Sequence, residues 1–61
     1  MNQVNPDAYY VAEYIGVTDE YVIKKEFASF EGAMQHAKTL DLNQRNILTG
    51  ARLIEMGVTE Y

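Results

Sequence analysis

Between Tyr9 and Leu40 the apolar residues change period. Up to Phe27 they tend to alternate, as side chains do along a strand, and after Ser29 they recur at helical intervals. Ala8 to Ile15 is predicted as a first strand. Tyr9, Val11, Glu13 and Ile15 fall on one of its faces, with Ala8, Tyr10, Ala12 and Tyr14 on the other. Neither face is polar, although a small sheet covered by one helix should keep one wet side. Gly16 to Glu20 reads as a hairpin connection with Gly at its mouth. Tyr21 to Ala28 is the second strand, in which Tyr21, Ile23 and Phe27 share a face with Lys25 and form the better core candidate.

Ser29 then offers an N-cap hydroxyl, and Glu31 sits near the positive end of a helix dipole. Phe30, Ala33, Met34, Ala37 and Leu40 make a single apolar stripe, with Lys38 in the last turn. Gly32 weakens this helix by about 1 kcal/mol relative to Ala. Asp41 to Asn46 is a polar connector. Ala51 to Met56 reads as a third strand, entered through Thr49-Gly50 and left at Gly57. The same segment has a helical reading, because Ile47, Ala51, Ile54 and Val58 share a helical face that Gly57 can end. Gly50 inside the segment argues for the strand, and a two-stranded hairpin alone is only marginally stable. The expected fold is α+β: a small antiparallel sheet, made of the N-terminal hairpin and a third strand, packed on one α-helix. Residues 1–61 make one small domain, with 1–7, including Asn5-Pro6, as a loosely held terminus.

Composition sharpens the question of stability. With no Cys there are neither disulfides nor thiolate metal sites, and the lone His36 cannot build a histidine-based zinc site. No metal and no cofactor is therefore expected. A hydrophobic fraction of 48% is that of a folded domain. Small domains commonly reach stability by association when staples are missing, so a homo-oligomer or a covering partner is expected. No apolar run approaches the roughly 18 residues of a membrane span, and the start Met1-Asn2-Gln3 lacks a secretory signal. These features point to a cytoplasmic protein with no membrane partner.

The net charge of −4 is unevenly spread. Asp7, Glu13, Asp19, Glu20, Glu26 and Glu31 face only Lys24 and Lys25 in the first half, whereas acids and bases balance from Gly32 onward. Direct nucleic-acid binding needs clustered cations and is not expected. An acidic surface serves solubility; it also serves to seek a basic groove on another protein. Mimicry of DNA is a thinner alternative for nine acids set against five bases.

Catalytic signals are weak. His36 lies beside the helix stripe with no nucleophile or carboxylate fixed near it by spacing, and Asp19-Glu20 in a turn reads as a solvated pair. No phosphate loop, metal-ligand spacing or nucleophile elbow is present, so no enzyme is expected. Tyrosine is the more informative residue: Tyr9, Tyr10, Tyr14 and Tyr21 fall on the hairpin and Tyr61 closes the chain. Strand tyrosines are often simply good β-formers, but Tyr also suits surfaces that become buried on association. With Tyr9, Val11 and Ile15 under the helix, Tyr10, Ala12 and Tyr14 would form an acid-rimmed patch.

The order of these segments, with the helix start Phe27-Ala28-Ser29-Phe30-Glu31 and an Ala51–Met56 strand, resembles small bacteriophage proteins that block host enzymes. The pattern is similar to the strand-strand-helix-strand phage inhibitors of host RNA polymerase. That resemblance implies a non-catalytic inhibitor of a host enzyme or defence system, acting in the host cytoplasm on a host protein. It implies an acidic contact patch and contact arginines in the last strand, which Arg52 matches and Ile54, two residues on, does not. The expected binding residues are Tyr10, Glu13, Tyr14, Asp19, Glu20 and Arg52.

Overall fold

A computed structural model describes residues 1–61. Strand β1 (Tyr9–Ile15) and strand β2 (Glu20–Phe27) form the hairpin, followed by helix α1 (Phe30–Ala37) and a 3₁₀ turn at Leu42–Gln44. Strand β3 (Asn46–Thr49) and helix α2 (Gly50–Glu55) complete the chain. The sheet is antiparallel with order β2-β1-β3. The expected α+β fold, a hairpin plus third strand packed on a helix, is therefore present. β1 has one charged residue, Glu13, and takes the centre; β2 carries Glu20, Lys24, Lys25 and Glu26 and lies at an edge. Charged edges discourage unwanted strand pairing.

A β-bulge separates the two ends of the hairpin. Val11 pairs with Lys25 but Ala12 pairs with Ile23, which leaves Lys24 as the extra residue. One extra residue reverses the alternation of side chains beyond it. Phe27 accordingly packs with Val11, and Ile23 with Tyr10. The shared face expected for Ile23 and Phe27 is divided by this bulge, which a strict two-residue period cannot anticipate.

Helix α1 covers the Tyr9/Val11 face as expected. Its cap is Ser29, whose Oγ accepts the Gly32 N–H at 3.1 Å. Ala33 and Ala37 are buried against Val11, surrounded by Tyr9, Phe27, Leu40 and Ile47. Their small side chains let the helix lie close to the sheet. Phe30 at the helix start stacks edge-on against Tyr9, with ring centres 5.8 Å apart.

The opposite face is where the chain departs from expectation. The third strand is Asn46–Thr49, not Ala51–Met56. Ile47 opposite Val11 and Leu48 opposite Tyr10 supply the two-residue alternation, one to each face. The strand stops because Thr49 becomes a helix N-cap, its Oγ1 accepting the Arg52 N–H at 3.1 Å. Gly50 is the first residue of α2, where it costs little, rather than an interruption inside a helix. It is required there by packing: a Cβ at Gly50 would stand 1.8 Å from the Asn5 carbonyl oxygen. The buried face of α2 is Gly50 and Leu53, not the stripe through Ala51 and Ile54.

Helix α2 ends in a Schellman motif. The Val58 N–H donates to the Leu53 carbonyl at 2.9 Å and the Gly57 N–H to Ile54 at 3.0 Å. Gly57 takes the left-handed φ of 91° that this ending requires. Val58 is thereby returned onto Leu53 and the Tyr10 cluster. The N-terminus is not loose either. Val4 is buried, and its N–H donates to the Thr59 carbonyl at 2.9 Å. Asn2 and Tyr61 exchange backbone hydrogen bonds at 2.8 and 2.9 Å. The two termini thus form a short ribbon that, with α2, covers the second face of β1.

Candidate functional site

The residues expected to bind a partner are sorted by this packing into separate places. Tyr10 is inside, with no exposed surface. Its hydroxyl donates to Glu26 Oε1 at 2.5 Å and accepts the Asn5 N–H at 2.7 Å. Tyr61 crosses it edge-on at 5.5 Å, and the Tyr61 hydroxyl reaches the same Glu26 oxygen at 3.1 Å. Burial, reinforced by the hydrogen bond to the Glu26 carboxylate, pushes the Tyr10 phenol up to about 12. The same two causes raise Tyr61. Tyr10 is therefore a core residue and not a contact residue, because its own chain has already removed it from water. The tyrosine face that argued for a covering copy is covered by α2 and the terminal ribbon.

Four residues along the same face of β1, Tyr14 stays outside that cover and keeps 37% of its surface exposed. It pairs directly with Tyr21, the rings 5.3 Å apart. Its hydroxyl donates to Asp19 Oδ1 at 2.6 Å, and that hydrogen bond is the chief cause raising its pKa. Asp19 occupies the left-handed region, φ 56°, which Asp tolerates better than most residues. The hairpin tip projects Val17, 98% exposed, just before the acidic pair Asp19-Glu20.

Beside this tip runs a groove of about 370 Å³, lined by Asp19, Glu20, Tyr21, Met56 and Val58. The chain's two ion pairs lie elsewhere, Lys24 with Glu13 at 3.3 Å and Arg52 with Glu55 at 3.1 Å. Neither Asp19 nor Glu20 has a cationic partner. Glu13 is held by Lys24 and also accepts from Asn43 Nδ2 at 3.2 Å. Arg52 is on a helix rather than a last strand. Of the expected residues, the structure brings together Tyr14, Asp19 and Glu20, and it separates Tyr10, Glu13 and Arg52 from them.

Sequence reasoning missed Met56 and Val58 as neighbours of the acidic turn. Their signal was Gly57 followed by an apolar residue, which is the ending of a helix that turns back. His36 is half-buried, with its ring 5.4 Å from that of Phe27. No group of three or more His, Asp or Glu side chains stands close enough to hold a metal ion. No helix is long and apolar enough to cross a membrane. Against known protein families, characterised proteins and solved structures, the chain has no match.

Proposed function

We propose that this protein is a non-catalytic protein-binding module that blocks or modulates a host enzyme or defence system, in the manner of the small phage inhibitors it resembles. The observation that carries this reading is the far end of the hairpin. There an exposed Val17 and a partly exposed Tyr14 stand beside two carboxylates without cationic partners. Exposed apolar and aromatic groups supply contact area, and the acids steer a basic target towards it. Tyr14 is half-wet but anchored through Asp19, so little conformational freedom is lost when it is covered.

The test is capture of a partner from a bacterial lysate with tagged protein, followed by affinity measurement on the purified pair. Tyr14→Ala is expected to weaken the complex by about 1–3 kcal/mol. Gln35→Ala on the exposed side of α1 is expected to leave it unchanged. Equal affinities for the two variants would remove the hairpin end as the contact surface.

A further inference from the structure

We infer that the groove between the hairpin turn and the end of α2 is built to receive one basic side chain, a lysine or arginine, of the partner protein. This deepens the proposed function and rests on it. The groove has two unlike parts. Tyr21, Met56 and Val58 are its apolar lining, and the exposed acidic residues Asp19 and Glu20 complete that lining at the turn, its rim. That pairing matches the anatomy of lysine and arginine, which lay an aliphatic stem along apolar surface and hold the charged head at its edge.

Charge complementarity selects this occupant over a neutral one. The rim carboxylates have no cation from their own chain: Lys24 serves Glu13 and Arg52 serves Glu55. Lys25 lies over the Phe27 ring, and Arg45 donates through Nε to the Leu40 carbonyl at 2.7 Å. Asp19 presents Oδ1 to the Tyr14 hydroxyl. Glu20 makes no side-chain hydrogen bond of its own, so the rim keeps acceptor capacity. A volume of about 370 Å³ stands at the lower end of ligand sites, which span about 300–1,000 Å³. The apolar lining exists only because Gly57 reverses the chain and sets Val58 beside Met56.

The probe is an acetylated, amidated Gly-Gly-Arg-Gly-Gly peptide, titrated into the intact protein while the Met56 methyl and Tyr21 ring resonances are followed by NMR. Saturable shifts at both residues are expected. The norleucine-centred peptide should bind at least five-fold more weakly. The double variant Asp19→Asn/Glu20→Gln should lose at least five-fold in affinity for the arginine peptide. Asn tolerates the left-handed backbone of position 19 and still accepts from Tyr14, so this variant keeps the fold. Met56→Ser should lose at least three-fold. Shifts that are unsaturable, spread over the acidic surface or indifferent to both variants would overturn the assignment. If they are absent while Tyr14→Ala still weakens the captured complex, the groove is refuted and the hairpin surface stands. If the peptide binds as expected but the captured complex ignores every hairpin variant, the proposed function falls and takes the groove's role in partner binding with it.

Discussion

Tyr10 and Tyr14 occupy the same face of one strand, and both hydroxyls donate to a carboxylate, yet one is core and the other is surface. Tyr10 meets Glu26 at 2.5 Å beneath Tyr61, Leu53 and Val4, with nothing exposed. Tyr14 meets Asp19 at 2.6 Å on the rim of a groove. The difference lies in what the rest of the chain sets over them. Helix α2 and the terminal ribbon enclose Tyr10, while at the far end Met56 and Val58 approach and leave a groove beside Tyr21, where the bulge at Lys24 has reset the hairpin phase. A tyrosine-rich face is thus stabilising at one end and available at the other. A hydrogen bond to an acid, common to both, does not distinguish them.

The strongest way to break the contrast is to remove the cover. Leu53 is wholly buried against Tyr10, so Leu53→Ala is expected to cost about 2–5 kcal/mol. Urea unfolding followed by circular dichroism measures this. A loss under about 1 kcal/mol, the size of an ordinary point mutation, would show that α2 contributes little to the covered end.

Alkaline titration sharpens the same contrast. Burial and then Glu26 raise the folded-state pKa of Tyr10 from 10.0 to about 12. Above pH 10 the unfolded chain loses its phenolic proton while the folded chain keeps it. Stability from this group is therefore complete below about pH 10 and is lost as pH climbs towards about 12. The urea midpoint should decline through that window, and absorbance at the phenolate band should show late-titrating tyrosines, Tyr10 among them, because Tyr14 and Tyr61 are raised as well. Five tyrosines ionising together at the ordinary value would contradict the buried pair.

The smallest effect belongs to the open end. Tyr14→Phe removes a solvent-exposed hydrogen bond to Asp19 and should change stability by no more than about 0.5 kcal/mol. A change several times larger, read from the same urea curves, would make Tyr14 a structural residue and weaken its assignment as a contact.

Much of the fold was legible in the chain. The hairpin, the Ser29 cap and the Ala33/Ala37 face of α1 follow from local chemistry: a two-residue period, an N-cap hydroxyl and small apolar residues at helical spacing. The segment after Asn46 was harder because its cues are shorter than the elements they compete for. A four-residue strand and a six-residue helix leave too few positions for either period to stand out. Thr49 serves as the last strand residue and the helix cap at once, so the boundary carries one signal with two meanings. Of the candidate site, Tyr14, Asp19 and Glu20 are neighbours within the hairpin and could be grouped by sequence alone. Met56 and Val58 join them across the fold, through a turn whose consequence depends on where β1 lies.

Local order and the sign of the charge are written in the chain because neighbouring residues decide them: alternation makes strands, a cap starts a helix, and acids concentrate in the hairpin. Which tyrosine becomes core was decided only by tertiary contact. Tyr10 is enclosed by residues two to fifty-one positions away, and the approach of Asn5 to Gly50 that closes this cover tolerates no side chain. Such contacts depend on how far α2 and the termini reach across the sheet, a distance in space that no period along the chain encodes.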